Sequence, residues 1–532
     1  MAKGELDADS VFLSNLAVLM DSKKKKYKLR TVTGRMAANA LSLDGNPPLA
    51  DPEKLLTENQ DDKWYQHRGS FSNHMIAIHM DRFTGKPHHY LPAESFHAEL
   101  PNERSYPFAD SLTIPLEYRL LALTKFQGMA DYLFPHKYLT DRNLDSVVLE
   151  MIPAFISCAS RTEYEILLLK LSASLNDTHS SPFSRQVKNR AAIFRNGFIP
   201  PFDYQVFDEG IVITDTIIGK TCAAAGLKRG DLITHINAVP VKKIIDTLAS
   251  LISVSNHSTL LYRLSAMSTN FMWRSSVPDF TLTVNGSAHR VRFTSSKDPD
   301  YEQLVNYIRR QLQPPVTPQP EITSDGIAIF RSEQFASMYE NVDDTLIDRH
   351  IDSLLALAAN QKAIIFDMRK FIDWGGLLYT YVPRYFAAAP HHFADYYMIN
   401  RNRLGTYVRK WQPDTYLADS LAYRNKPYKG KVVILTGPGT LSQTEWNTMS
   451  LQKLFPQAVT IGTPSAGADG DEKIMNLPGG YKLPFTGNAI FYPDGTPAQR
   501  KGVKVDRLIP RTPASVLKAD AVMEAAIGYI IE

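Results

Sequence analysis

Beyond residue 322 short apolar runs alternate with segments of helical periodicity, and that alternation constrains the fold more than any other feature of the chain. The runs read "GIAIF", "DTLIDRHIDSLLALAAN", "KAIIFDMR", "KVVILTG", "TEWNTMSLQKLF" and "AVTIGTPSAG", in that order. A short, wholly apolar strand suits a position covered on both faces, as in a parallel sheet between helices. Parallel neighbours also need a crossover to bring the chain back, and a helix is the usual one. The pattern therefore predicts an α/β domain with an at least partly parallel sheet.

At 532 residues the chain is too long for one ordinary core, and its upstream part changes texture several times. From about residue 115, "LEYRLLALTKFQGMADYLF", "LDSVVLEMIPAFI" and "RTEYEILLLKLSASL" repeat apolar residues three and four apart, the pattern of amphipathic helices packed together. The block closes at "NDTHSSPF", a polar turn containing His179. Residues 200–297 are β-rich: "EGIVITDTI" and "DLITHINAVPV" flank "AAAGLKRGD", where Gly226 and Gly230 supply turns. "VKKIIDTLASLI" is helical, and "FTLTVNGSAHRVRF" is a hairpin turning at Asn285-Gly286. The proline-rich "QLQPPVTPQPEI" reads as a semi-rigid linker. In residues 1–110, "DKWYQHRGSF" and "MIAIHMDRF" suggest short strands, with no function assigned.

Composition excludes several classes. Hydrophobic residues at 44% and charged residues at 21% are ordinary globular values, and a net charge of +4 is small for this length. A dedicated nucleic-acid binder would carry a dense basic stripe. The one strong basic block, "KKKKYKLR" at 23–30, reads as a solvated segment in preference to a binding patch. No stretch approaches the roughly 20 apolar residues that span a bilayer, and "MAKGELDADSVF" lacks the apolar core of a secretory signal. Cys158 and Cys222 are too few for a disulfide framework, and "PHHY" and "PHHF" lack metal-ligand spacing. Neither a metal nor an organic cofactor is expected.

The chemistry concentrates at "GTLSQTEWN", between the strand "KVVILTG" and a helix. A strand, a polar turn and a helix often present a nucleophile, and Ser442 stands at that turn. The same letters make Ser442 a helix N-cap with Glu445 completing a capping box, and the two roles are compatible. A serine hydroxyl attacks only when a base takes its proton, and histidine suits that task near neutral pH. At the start of a helix the free N–H of Gln443 would face a developing oxyanion. In "DWGG", Gly375 or Gly376 lets backbone come close enough to supply a second donor.

Two resemblances follow from these motifs. "GLKRGDLITHINAVPV" resembles a PDZ domain, with Ala238 where that pattern usually has glycine. PDZ domains bind an extended chain terminus by adding it to a sheet edge. "AIIFDMR", "LSQTEWN", "VTIGTPSAGADG" and "PDGTPAQRKGVKVD" occur in the order found in the C-terminal processing, or tail-specific, serine peptidases. This resemblance covers roughly residues 115–532, and its later details, "AGADG", "LPGG" and "QRKG", are similar to Bacteroidetes members. It implies a multidomain α/β chain with a helical N-terminal cap, a PDZ-like β domain and an α/β ClpP/crotonase-like protease core. The corresponding boundaries are 1–110 (unclear fold), 111–190 (cap), 197–300 (PDZ-like), 301–322 (linker) and 323–532 (core).

On that resemblance Ser442 is the nucleophile. Common members carry a lysine base after the glycine of this loop, but "GTPSAGADG" has Ala468 there and Lys473 is five residues displaced. The branch that includes the tricorn core and the nisin-resistance protein uses a histidine from the helical cap instead, which makes His179 the candidate base. His179 reads equally as a residue closing a helix at a polar turn. Tricorn-like members place a glutamate where this chain has Gln499, which could orient an imidazole or bind substrate but is neutral. Asp367 and Arg369 read as a structural strand-end pair. The resemblance implies a serine endopeptidase forming an acyl-enzyme on Ser442, with a polypeptide substrate captured by the PDZ-like domain. It also implies a periplasmic or envelope location. The competing reading is a catalytically silent peptide-binding protein that keeps the fold, and a weaker third is an esterase or amidase.

Overall fold

The computed structural model describes residues 55–56, 100, 105–312, 317–400, 405–409, 423–518 and 520–532. The basic run at 23–30 and both short strands expected before residue 84 lie outside these residues. Three helices form the first layer: α1 (Leu116–Tyr132), α2 (Leu144–Ser157) and α3 (Arg161–Ser174). Asn143 and Ser160 cap the last two by accepting from Ser146 N and Glu163 N. Their apolar faces share one core with a distant hairpin, Phe126, Phe155 and Leu168 packing in the cluster that also holds Leu477, Tyr481 and Phe485. Arg161 at the start of α3 donates to Tyr481 Oη at 2.7 Å, and Tyr164 Oη donates to Pro478 O at 3.0 Å. The helical block is thus bolted to the C-terminal part of the chain.

The middle segment is an antiparallel sheet of β1 (Asp203–Phe207), β2 (Gly210–Asp215), β3 (Leu232–Ile236), β4 (Asp279–Val284) and β5 (Ser287–Arg292), in that spatial order, with Val239–Pro240 paired to β3. Helices α4 (Val241–Ala249) and α5 (His257–Leu264) pack against it. Asn285 and Gly286 take φ of 50° and 80°, the left-handed pair that a tight hairpin turn uses. Ala238 keeps the left-handed turn that its sequence made doubtful, with φ of 64°. β1 is an edge strand, but its edge is closed: Val206 N–H donates to Ser265 Oγ at 2.8 Å and Tyr204 N–H to Asp203 Oδ1 at 2.8 Å. Two outward donors of β1 are thus already engaged, one of them by Ser265, which follows α5.

The segment expected to be a linker differs from that reading. Its first part folds as α6 (Tyr301–Leu312), because Leu304, Tyr307 and Ile308 make an apolar stripe against the middle domain's core. Only the residues after Leu312 retain the proline-rich character.

The last domain has the predicted alternation. A six-stranded sheet runs β13-β10-β9-β8-β7-β6, from β6 (Glu321–Ile322), β7 (Ile327–Arg331), β8 (Ala363–Asp367), β9 (Lys431–Thr436), β10 (Val459–Gly462) and β13 (Arg507–Leu508). All pairings are parallel except that of β6 with β7. One face buries Phe330, Phe366 and Ile434 with α7 (Ile347–Ala359) and α8 (Gln443–Leu454). The other buries Ile329, Ile365 and Val433 under α9 (Ala521–Ile531). A separate hairpin, β11 (Glu472–Leu477) and β12 (Tyr481–Thr486), reaches back to the helical block. Loops after β8, β9 and β10 gather at the carboxyl end of the sheet, where open α/β folds place their sites. There the turn after β9 lies on the exit of β8: Thr440 Oγ1 donates to Met368 O at 2.6 Å, and a Cβ on Gly439 would stand 2.4 Å from Arg369 O. Gly439→Ala is expected to cost about 1–3 kcal/mol of stability by overpacking this contact. Denaturant unfolding measures it, and an unchanged midpoint would mean that the turn yields freely.

Candidate active site

Ser442 ends that turn with φ of 54° and ψ of −122°, a conformation that a non-glycine residue holds at roughly 1–3 kcal/mol. The surroundings enforce it. Ser442 N–H donates to Ala468 O at 3.0 Å and to Glu445 Oε2 at 3.2 Å, while its carbonyl accepts from Glu445 N at 2.7 Å and Trp446 N at 3.1 Å. The hydroxyl donates over a long 3.5 Å to Gly470 O, and Ser442 with Glu445 makes the expected capping box. The backbone is therefore pinned while the oxygen stays available.

Glu445 does the pinning. Its carboxylate is fully buried, accepting from Ser465 Oγ at 2.6 Å and from the N–H groups of Gly467 and Ala468 at 2.8 and 2.9 Å, besides Ser442 N. Burial raises its pKa to about 7 against the lowering by these four donors. Asp469 lies close by, buried, with Oδ2 lacking any hydrogen-bond partner. Burial first, and the Glu445 carboxylate second, push its pKa well above the usual carboxylate range. No sequence signal pointed to Asp469.

His179 sits in the 3-10 turn Thr178–Ser180 that follows α3. Its Nδ1 is 2.7 Å from Thr486 Oγ1, and Thr486 Oγ1 donates to Asp177 Oδ1 at 2.8 Å. A threonine hydroxyl has one proton. With that proton committed to Asp177, Thr486 can only accept from the ring, so the network assigns the proton to Nδ1 and leaves Nε2 as the acceptor. Asp177 also accepts from Thr486 N at 2.6 Å, His179 N at 3.1 Å and Gln499 Nε2 at 3.2 Å. Burial moves the His179 pKa down; the Asp177 and Asp471 carboxylates raise it in part, and the Arg263 guanidinium lowers it further. The buried His136 nearby is pulled to about 4 by desolvation.

The base turn is held from three sides. Asp177 N donates to Ser253 Oγ at 3.1 Å and Thr178 N to Ser255 Oγ at 3.0 Å, both in the middle domain. Thr178 Oγ1 donates to Ala466 O at 3.0 Å, two residues from the carbonyl that accepts from Ser442 N. The turns that carry Ser442 and His179 are therefore both tied to one loop, 466–468, although no hydrogen bond joins the two residues among the described residues. Gln499 reaches Asp177 instead of the imidazole, with its Oε1 buried and unpartnered. Ala468 is fully buried and leaves no place for a lysine side chain. Lys473 shares the buried face of β11 with Met475 and Leu477, whereas Thr486 pairs with Glu472 and so stands on the opposite face of the hairpin.

Of the residues expected to supply oxyanion donors, Gly375 lies beside the Gln443 side chain. Gln443 opens α8, and its N–H has no partner among the described residues. A Cβ on Gly375 would lie 2.5 Å from Gln443 Nε2 and 2.8 Å from the Tyr379 ring, so a larger residue here would displace those side chains. Gly376 packs equally tightly under the Trp374 ring and starts a single π-helical turn, Leu377–Tyr381. The loop is tied to α8 by Ile372 N donating to Thr444 Oγ1 at 2.9 Å. Asp367 and Arg369 form the expected strand-end ion pair, which Asp520 extends. Asp177 and Thr486 were missed in the sequence. "NDTH" carried a weak signal, since an aspartate two residues ahead commonly caps such a turn.

Glu445→Ala is expected to destabilise the fold, because each buried donor left without an acceptor costs roughly 1–3 kcal/mol. The loss should exceed that of Gly439→Ala in the same unfolding assay. An equal or smaller loss would mean that water takes over the carboxylate's role.

Residues 326–509 match the family model of peptidase family S41. Among curated proteins no relative matches the chain. Among solved structures it is similar to mature CPAF, at 12% identity over 76% of this chain and 94% of that one, with a TM-score of 0.52. The CPAF complex with lactacystin gives 13%, 78%, 97% and 0.52 for the same measures. The photosystem II D1 C-terminal processing protease is 12% identical over 76% of this chain and 98% of that one, but its TM-score of 0.36 carries no argument. At these identities the likeness to CPAF is one of fold. The chain is a multidomain α/β protein, and the part of it that matches the peptidase family S41 model is residues 326–509.

Proposed function

We propose that the protein is a serine endopeptidase that cleaves extended polypeptide through an acyl-enzyme on Ser442, with His179 as the base. The observation that carries this is the His179–Thr486–Asp177 chain, which leaves Nε2 as the acceptor in a turn tied to the same loop, 466–468, that accepts from Ser442 N. Ser442 Oγ would attack the scissile carbonyl as its proton passes to Nε2. Gln443 N–H, with an N–H of Gly375 or Gly376, would hold the oxyanion, and one such donor is typically worth about 2.7–4 kcal/mol of barrier. The imidazolium would then protonate the leaving amine, and water would release the acyl group by the reverse sequence. Asp177 stands behind the base through Thr486 and compensates for the neutral Gln499.

The silent peptide-binding reading draws on the missing hydrogen bond between Ser442 and His179 and on the neutrality of Gln499. Casein cleavage by wild type, Ser442→Ala and His179→Ala separates the two. Loss of activity in both variants, with unchanged unfolding midpoints, supports the endopeptidase. Loss with Ser442 alone leaves the base to be sought elsewhere, and no wild-type cleavage favours the binder.

Thr486→Val removes the hydroxyl that fixes the tautomer, and kcat is expected to fall on the order of 10²-fold. An unchanged kcat would remove Thr486 from the relay. The pH profile follows from burial. Only neutral His179 accepts a proton, and its pKa is lowered by desolvation and by Arg263 against the raising by Asp177 and Asp471. The acid limb of kcat/KM is therefore expected below the ordinary histidine value of about 6.5. A limb near pH 7 or above would contradict this assignment.

A further inference from the structure

Between the base turn and the middle domain lies a cavity of about 320 Å³. Arg185, Arg263 and Gln205 present polar groups to it, and Tyr262, Phe271 and Leu312 form its apolar walls. No aspartate or glutamate lines it. Arg263, in the last turn of α5, makes no side-chain hydrogen bond and no ion pair among the described residues, and its Nε is buried without a partner. Arg185 has no carboxylate partner either. Arg190, stacked at 5.4 Å on Phe271 and donating to Thr269 O, and Arg511, 3.5 Å from Ser265 Oγ, add positive charge around the rim, again without an ion pair among the described residues. Burial lowers the pKa of Arg263, Arg190 and Arg511, with Arg185 adding to the effect on the first two. Buried cations are ordinarily paired, because an unpaired one loses its hydration without return. A cluster of guanidinium groups free of carboxylates is complementary to an anion brought from outside, and the planar guanidinium fork matches a carboxylate.

Two of the cavity's lining residues stand next to the turns of the proposed chemistry. Ser181, which lines it, follows the turn that carries His179, and the charge of Arg263 is felt at the His179 ring. Tyr262 closes the other side, its Oη 3.2 Å from where a Cβ on Gly439 would stand, in the turn leading to Ser442. An anion seated here would belong to a chain lying across both turns.

We infer that this cavity is a carboxylate subsite, in which Arg263 and Arg185 take a carboxylate of the polypeptide substrate, either an acidic side chain or the chain's own terminus. The inference rests on the endopeptidase reading for its substrate class, but its test does not require turnover. In the Ser442→Ala background, fluorescence anisotropy measures binding of a labelled alanine-rich decapeptide set with one glutamate moved through every position. Matched peptides replace glutamate by glutamine, and each is made with a free or an amidated C-terminus. At least one carboxylate is expected to tighten binding about tenfold or more, and Arg263→Gln and Arg185→Gln should each erase that preference while leaving the glutamine, amidated peptide unaffected. Dependence on the glutamate identifies an acidic side chain as the ligand, and dependence on the free terminus identifies the chain end. Equal binding of all peptides, or a preference that survives both arginine variants, overturns the inference. A preference seen in a protein that cleaves nothing would retain the subsite and remove the peptidase reading. Cleavage without any carboxylate preference would do the reverse.

Discussion

The Asp177 carboxylate is the point on which the rest of the site depends. It is fully buried, and its donors come from the turn after α3, from the end of β12 and from the loop carrying Gln499. A buried carboxylate is tolerable only when donors replace its hydration, so these segments can fold together only in an arrangement that brings them to it. That requirement draws the helical block onto the C-terminal α/β domain. The extensive apolar core shared by α1–α3 and the hairpin then fixes the approach. His179 inherits its orientation from this junction, through Thr486, and owes nothing to its own helix.

Glu445 plays the corresponding part for Ser442. A serine held at a left-handed φ would relax if its neighbours allowed it. Here its N–H and carbonyl are both engaged, and the loop that accepts from it is itself locked by Glu445. The two buried carboxylates thus hold one member each of the proposed reacting pair, Glu445 through the loop 465–468 and Asp177 through Thr486. Asp469, raised far above the ordinary range beside Glu445, shows how much acid this small volume holds.

Much of this organisation was legible in the sequence. Apolar runs such as "AIIFD" and "KVVILT" announce strands covered on both sides, and "NG" at 285–286 announces its hairpin, because each signal is local. Ser442 and Gln443 could be placed for the same reason, since a strand, turn and helix are adjacent in the chain. The partner of His179 could not be read, because Thr486 and Asp177 are 309 residues apart and neither belongs to a recognisable spacing. The helix α6 was masked by the prolines that follow it, although Leu304, Tyr307 and Ile308 were present as a stripe. The closure of β1 was equally invisible, since it depends on one hydroxyl, that of Ser265, at the end of a helix that the sequence had not revealed.

That last contact has a bearing on the molecule's own solubility. An edge strand with free donors is a template on which any extended chain can nucleate a larger sheet. A peptidase acting on loosely folded polypeptide would meet such chains continually, and at high local concentration. With Val206 N–H taken by Ser265 and Tyr204 N–H by Asp203, β1 offers these chains little to pair with. On this edge an extended chain would find the donors of Tyr204 and Val206 already engaged.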